Sequence, residues 1–315
     1  MFGVVAILVA QAASAGGAWS SARPPECAPL DGGKANNIWE RTKAPELRRY
    51  CDLLASGASK LAGSAAMARD VVTIADEADR LLAGKAAPAV LRGRALTQLG
   101  DHAEAYKSLA DAKSRDERAL DDPHALLAWA RVLVRTGHQV EAADAYRALL
   151  PRASMLTLAD RSAASLEAGL LAMTRGPSAL DEAVSIFRQS VRDSQDIAQI
   201  VSVLSLALAL DRAGEKDEAR AMLAERAHGD PRPVLASTRA KDLLGPAGAP
   251  ETAALAAIAL EVSDPPGARM EWQRYLDAAP AGKTPWVDHA RAHVAALSGK
   301  KAPGNATKPS GAKAP

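Results

Sequence analysis

The chain has 315 residues, of which 48% are hydrophobic and only 3% aromatic, and much of the hydrophobic fraction is alanine. Alanine favours helices and is depleted in strands, so this composition predicts an all-α fold. Removing the four lysines of residues 298–315 from the 39 basic residues leaves 35, against 37 acidic residues. A body with that balance lacks the basic surface of a protein that binds nucleic acid.

The first 15 residues predict a secretory signal peptide. The apolar run Phe2–Val9 is followed by the small residues Ala13 and Ala15, which is typical of a cleavage site. The run is shorter than the roughly 20 residues that span a bilayer, so we expect no transmembrane anchor after cleavage. No Lys or Arg precedes the run, and a buried N-terminal helix is the alternative. The predicted location is the periplasm or the cell exterior.

Residues 16–60 predict an irregular lead-in with one short helix, which begins at Pro45 and ends near Ala55. The only two cysteines of the chain, Cys27 and Cys51, both lie in this segment. In an exported protein such a pair favours a disulfide. The bond would close a loop of about 25 residues and stabilise the fold by about 3 kcal/mol. Two unrelated buried thiols are the alternative.

Residues 61–297 alternate between amphipathic helical segments of 12 to 20 residues and short breaks rich in Gly, Pro and Asp. An alanine follows each of five breaks, at intervals of 37, 41, 36 and 49 residues, and a bulky residue follows it four positions later. The five pairs are Ala105 with Leu109, Ala142 with Tyr146, Ala183 with Phe187, Ala219 with Leu223, and Ala268 with Trp272. An imperfect period of this length indicates an array of stacked helical hairpins.

The stretch Arg135–Pro151, RTGHQVEAADAYRALLP, shows the repeat pattern most clearly. It has a glycine at the turn and a proline at the end. It resembles the tetratricopeptide repeat (TPR) family, whose unit is a pair of antiparallel helices. The resemblance implies a right-handed superhelix, an α-solenoid, over residues 61–297. It also implies that a small residue of each first helix faces the alanine of the second. These small residues are Gly93, Ala130, Gly169 and Ala207.

The resemblance further implies a concave groove, lined by residues of the first helices, that holds a partner protein or peptide. The family positions fall on Arg94, Gln98, His124, Arg131, Arg135, Asp211 and Arg212. This mildly basic groove would suit an acidic or extended peptide. The alternative is that the arginines only cover the surface of alanine-rich helices with their aliphatic stems.

No catalytic motif is evident in the sequence, and we predict no catalytic residue, cofactor or bound metal. His289 and His293 are four residues apart and can lie on one helix face, as metal ligands do. Ala290 stands where a metalloprotease would have its glutamate, and no third ligand is evident, so the interpretation is a solvated pair. Residues 298–315 predict a disordered basic tail.

The sequence therefore predicts a non-catalytic scaffold of the cell envelope that binds another protein. Two alternatives stay open. One is a metal-dependent hydrolase that uses a histidine pair near His289, and the other is an envelope component that assembles with itself.

Overall fold

The structure is a computed structural model that describes residues 20–28, 45–63, 65–227, 229–279 and 284–299. The described residues are mostly helical and include no β-strand, which confirms the all-α prediction. The predicted signal peptide, residues 1–15, lies outside the described residues, and so does the predicted tail beyond Gly299. The chain divides into two compact units, residues 1–125 and 126–315, where the sequence analysis predicts one array over 61–297.

In the first unit, consecutive helices pack on one another, and the first helix also packs on the third. The helices are α1 (Pro45–Gly63), α2 (Ala68–Leu81), α3 (Ala86–Leu99) and α4 (His102–Arg115), followed by a 3₁₀ turn at Glu117–Leu120. The next helix, α5 (Pro123–Arg135), contains the boundary between the units.

Helix α1 corrects the sequence prediction of a short helix that ends near Ala55. It continues to Gly63, through a segment rich in Gly and Ser. The reason is that Gly57 packs against α3: a Cβ atom at this position would lie 2.6 Å from the Leu91 side chain. The glycine therefore allows two helices to approach closely and does not end the helix.

The N-terminal lead-in is fastened to α1 and α3. The sulfur atoms of Cys27 and Cys51 lie 1.98 Å apart, within bonding distance, as the predicted disulfide requires. Beside this bond, the buried Tyr50 hydroxyl donates a hydrogen bond of 2.7 Å to Glu26. The described lead-in therefore belongs to the first unit by covalent and polar contacts.

The second unit continues with helices that again pack mainly on their neighbours in the chain, while α7 also packs on α12, and α9 on α12 and α13. They are α6 (Gln139–Leu149), α7 (Leu158–Thr174), α8 (Leu180–Asp193), α9 (Asp196–Arg212), α10 (Lys216–Arg226), α11 (Arg232–Ala236), α12 (Thr238–Gly248), α13 (Thr252–Leu260), α14 (Pro265–Ala278) and α15 (Val287–Leu297). The short helix α11 lies in the longest interval of the repeat, the one of 49 residues.

Three of the predicted hairpin turns close in the same way. Gly100, Gly137 and Gly214 have φ between +80° and +89°, a conformation that glycine adopts without steric cost. The amide of the following residue donates to the carbonyl five positions earlier in each case, which satisfies the end of the first helix. The alanines that follow the five breaks are all at most 1% exposed.

The small and bulky positions of the repeat meet in the hairpins α3–α4 and α7–α8. A Cβ atom at Gly93 would lie 2.5 Å from Leu109, and one at Gly169 would lie 2.5 Å from the Phe187 ring. Real Cβ atoms do not approach that closely, so each bulky side chain occupies the space left by a glycine. The sequence analysis predicts that each glycine faces the alanine of the second helix, whereas the nearest side chain is that of the bulky residue one turn later.

Helix α9 is the central helix of the second unit. Every residue from Val201 to Arg212 is buried, because α8, α10, α12 and α13 all pack against it. A helix that is apolar on all sides belongs in a core. Its last two residues, Asp211 and Arg212, are charged and therefore require partners inside the protein.

The segment Thr238–Leu260 is long and apolar enough to cross a membrane by length and composition, but 56% of its most apolar window is buried inside the protein. Gly245 interrupts it with a non-helical backbone (φ 54°, ψ −165°), and Pro246 follows. Leu244 and Leu255 of this segment belong to the hydrophobic core of the second unit. Its apolar character is thus accounted for by packing within the unit.

The contact between Gly169 and Phe187 predicts that a Gly→Ala substitution in this helix lowers the free energy of unfolding, where such a substitution normally raises it. Alanine normally stabilises a helix by about 1 kcal/mol relative to glycine, whereas overpacking a core costs about 1–3 kcal/mol. We expect Gly169→Ala to lower the free energy of unfolding by about 1–2 kcal/mol in urea denaturation. In a Phe187→Leu background the same substitution should cost less, and an equal cost in both backgrounds would contradict the contact.

The disulfide predicts a dependence of stability on reductant. A Cys27→Ser, Cys51→Ser double variant should lose about 3 kcal/mol of unfolding free energy, because the open loop gains entropy in the unfolded chain. Thermal unfolding of the native protein with reductant should match that of the variant, and the variant should not respond to reductant. A native unfolding temperature that reductant leaves unchanged would show that the bond contributes nothing.

Candidate functional site

Asp211, His289 and His293 meet inside the second unit. Asp211 lies at the end of α9, and the two histidines lie one turn apart on the same face of α15. The Nε2 atoms of His289 and His293 are 2.7 Å and 2.9 Å from Oδ2 of Asp211. One oxygen and two nitrogens, from two helices far apart in the sequence, thus converge on one point.

The contacts in this cluster have the distance of ion pairs but not the angles of hydrogen bonds. Oδ2 of Asp211 and Nε2 of both histidines are buried without a hydrogen-bond partner among the described residues, as is Nδ1 of His289. Buried polar atoms are ordinarily satisfied, since each unpaired one costs about 1–3 kcal/mol. Other buried atoms, including Nε and Nη1 of Arg212, are unpaired in the same sense, so what distinguishes this cluster is that three potential metal-ligand atoms converge.

Two further side chains hold His293 in place. Its Nδ1 atom forms a short contact with Oε1 of Glu261, which follows α13, and the same oxygen accepts a hydrogen bond of 2.8 Å from the Trp272 indole. The Trp272 ring stacks on the His293 ring, with centroids 4.7 Å apart. Trp272 is the bulky residue of the repeat pattern in α14. The same side chain that packs the hairpin therefore also holds His293 in place.

The charges of the cluster shift the pKa values of its members. Burial alone would lower the pKa of His293, but the contacts with Asp211 and Glu261 outweigh it and raise that pKa to about 9. Burial would raise the pKa of Asp211, but the contacts with His289 and His293 outweigh it and hold that pKa well below its usual value. A metal-free cluster at neutral pH thus contains a carboxylate at Asp211 and an imidazolium at His293.

This cluster corrects the interpretation of His289 and His293 as a solvated pair. His293 is buried, and the His289 side chain is only 17% exposed. The third group, Asp211, is 78 positions before His289 in the sequence and cannot be found from local spacing. One signal was available: α9 is apolar on all sides, so a charged residue at its end had to find a partner in the interior.

Arg212, the next residue of α9, forms a second buried network. Its Nη2 atom lies 2.6 Å from Oε2 of Glu251, and the two side chains are 0% and 4% exposed. The guanidinium also lies over the Trp286 ring, 4.6 Å from its centroid, as in a cation–π contact. The sequence prediction that Asp211 and Arg212 line an open groove is therefore wrong for Arg212, whose side chain is enclosed.

A cleft of about 490 Å³ lies next to the cluster, between α10 and the end of α13. Asp211 and Glu261 both line it, which gives the cluster an opening toward solvent. Leu223 and Ile258 provide apolar surface, while Lys216 and Arg220 contribute positive charge from α10. The cleft is large enough for a small ligand or for a few residues of a peptide.

The other predicted groove residues are engaged in several different ways. In the first unit, Arg94 donates to Ser21 and Gln98 donates to the carbonyl of Leu61. His124 is half-buried in the first turn of α5.

In the second unit, Nε of Arg131 lies 3.1 Å from both carboxylate oxygens of Glu167, which also accepts a hydrogen bond from Tyr146. Arg135 is exposed. Of the seven predicted groove residues, only Asp211 lines the cleft between α10 and α13.

Comparison with known proteins finds no family model that matches this chain and no curated protein that is similar to it in sequence.

The Arg212–Glu251 pair predicts a large loss of stability from a single substitution. Arg212→Ala should lower the free energy of unfolding by about 3–5 kcal/mol, because it leaves the Glu251 carboxylate buried without a counter-charge. The matched control is Arg220→Ala on exposed α10, which should change stability by less than about 1 kcal/mol. Urea denaturation measures both. Equal, small effects of the two substitutions would mean that Arg212 is not enclosed.

Proposed function

We propose that this chain is a non-catalytic interaction scaffold in which TPR-like helical hairpins hold a peptide segment of a partner protein. The observation that carries the proposal is the open cleft between α10 and α13, with apolar and charged sides. A scaffold needs an accessible surface that can contact a partner, and helices of the second unit form the sides of this cleft.

The hairpin packing supports the TPR-like part of the proposal. Gly93 faces Leu109 in one unit and Gly169 faces Phe187 in the other, so a small residue of the first helix lets the second helix approach closely, as in the hairpins of that family. Arrays of such hairpins present extended surfaces to partners. We infer that the hairpins of this chain stack as a right-handed superhelix.

The chemistry of the cleft favours one kind of occupant, an extended segment with small apolar side chains and charged groups that pair with the charges of both signs along its lining. Val262, at the edge of the cleft, is 81% exposed, an arrangement suited to apolar contact with a partner. Lys216 and Arg220 lie along the α10 side and would attract an acidic group, while Asp230 and Asp264 also line the cleft and would attract a basic one. Backbone groups of an extended peptide would remain accessible to water along the open side of the cleft.

The two cysteines support an oxidising compartment for the proposed scaffold. Disulfides persist in oxidising environments and are rare in the cytosol, and the Cys27 and Cys51 sulfurs lie within bonding distance. We therefore place the scaffold in the periplasm or outside the cell, in agreement with the signal peptide that the sequence predicts for residues 1–15.

Site-specific photo-crosslinking tests the proposed surface. A photoreactive amino acid at Val262 should give a discrete adduct with a partner in the cell envelope, and one at Val140, which is 79% exposed on α6, should not. Mass spectrometry would identify the partner, and a peptide from the crosslinked segment should bind the purified chain.

The matched substitutions are Val262→Asp and Val140→Asp, both at exposed positions that leave the fold intact. Val262→Asp should weaken binding of that peptide by about 10-fold, since it places a charge against apolar surface, while Val140→Asp should leave the affinity unchanged. Equal affinities for the two variants would refute the cleft as the binding surface.

A further inference from the structure

We propose that Asp211, His289 and His293 bind a single divalent first-row transition-metal ion of the Zn²⁺ type, with Glu261 orienting His293. This site does not rest on the peptide-binding function proposed above, although it adjoins the same cleft. It rests on the identity of the donor atoms, on their separations, and on the buried atoms that have no other partner.

The donor set suits such an ion. Two imidazole nitrogens and one carboxylate oxygen are ligands that Zn²⁺ and its neighbours accept, whereas Mg²⁺ and Ca²⁺ prefer oxygen alone. The three donor atoms lie within 4.8 Å of one another. Around a tetrahedral ion with bonds of about 2.0–2.1 Å, ligand atoms are about 3.3 Å apart. The oxygen–nitrogen separations of 2.7 Å and 2.9 Å need to open by only about half an ångström.

The unsatisfied atoms point to the same conclusion. Oδ2 of Asp211 and Nε2 of both histidines are buried and lack hydrogen-bond partners among the described residues. Asp211 and His293 are more than nine-tenths buried. A cation placed between the three atoms would satisfy all of them at once, and no hydrogen bond within the cluster does so. This explains why three polar groups approach without hydrogen-bond angles.

Glu261 and Trp272 supply the outer support that metal-binding histidines require. With its proton on Nδ1, His293 donates to Oε1 of Glu261 and leaves the Nε2 lone pair free for the ion. A carboxylate behind a ligating histidine fixes both the tautomer and the ring orientation. The Trp272 indole donates to the same oxygen and its ring stacks on His293, so neither the carboxylate nor the imidazole is free to turn.

The cleft gives the ion a route to its ligands, since Asp211 and Glu261 both line it. Three protein ligands leave one position of a tetrahedral ion for water, and we expect the bound ion to exchange with solvent. Because the ligands come from α9 and α15, a bound ion would join the last helix to the central helix of the second unit. Binding to the folded state alone raises stability with metal concentration.

Calorimetric titration of the tag-free full chain with Zn²⁺, after treatment with a chelator, tests the site. We expect one ion per chain and an unfolding temperature that rises with the logarithm of the Zn²⁺ concentration. Co²⁺ should bind in competition and give the intense visible absorption of a four-coordinate site. Mg²⁺ should have no effect on the unfolding temperature.

Substitutions separate a metal site from an ion-paired core. His289→Gln, at a partly exposed side chain, and the isosteric Asp211→Asn should each weaken Zn²⁺ binding by about 100-fold or more, and Glu261→Gln by about 10–100-fold. The control is His138→Gln, which removes a partly exposed histidine paired with Glu141 and should leave the affinity unchanged. Circular dichroism checks the fold of each variant. If Asp211→Asn does not fold, the Zn²⁺ affinity of His289→Gln alone decides the test.

The proposal is overturned if the native chain binds Zn²⁺ no more tightly than the His289→Gln variant. It is also overturned if the substitutions lower stability in metal-free buffer while Zn²⁺ changes the unfolding temperature of none of the proteins, because the cluster would then be a purely structural ion-pair network.

Discussion

Neighbouring helices of this protein can pack closely where one side of the contact carries no bulky side chain. Gly93 receives Leu109, Gly169 receives the Phe187 ring, and Gly57 receives Leu91. Filling space at the density of a protein interior demands this complementarity, because neither a void nor an overlap is tolerated without cost. The alternation of small and bulky residues in the sequence is thus a condition of the fold, and the turns and helix lengths follow its spacing.

The same packing creates the chemistry of the second unit. Helix α9 packs against α7, α8, α10, α12 and α13, and every residue from Val201 to Arg212 is buried. Its last two residues are charged, and the interior must therefore contain groups that compensate them. Arg212 finds Glu251 and the Trp286 ring, whereas Asp211 finds two histidines whose nitrogens approach without hydrogen-bond geometry. The first network is a core ion pair in which Nε and Nη1 of Arg212 also lack hydrogen-bond partners among the described residues, and the second brings together three donor atoms that suit a cation.

Much of the fold could be predicted from the sequence, because helix breaks and small residues are local signals. The turn glycines and the buried alanines agree with the repeat pattern, whereas the contact of Gly169 with Phe187 replaces the predicted contact with the alanine. The extent of α1 was not predictable from composition, since Gly57 looks like a break until its contact with Leu91 is known. The division into two units had no local signal either.

Only part of the candidate site could be predicted from the sequence. The spacing of His289 and His293 is visible, but their burial depends on α9 and α14, which are distant in the chain. The assignment of Asp211 and Arg212 to an open groove followed from the TPR resemblance and took no account of the apolar character of the whole helix. Residues that meet through tertiary packing carry no shared spacing, so Glu261 and Trp272 could not be grouped with the histidines in advance.

The central claim is that side chains of one helix occupy the space left by glycines of its neighbour. Nuclear Overhauser spectroscopy of the methyl- and aromatic-labelled protein measures this directly. The account predicts cross-peaks between the Leu109 methyl groups and the α-protons of Gly93, and between the Phe187 ring and the α-protons of Gly169. Intense cross-peaks from these side chains to other partners, with none to the two glycines, would contradict it.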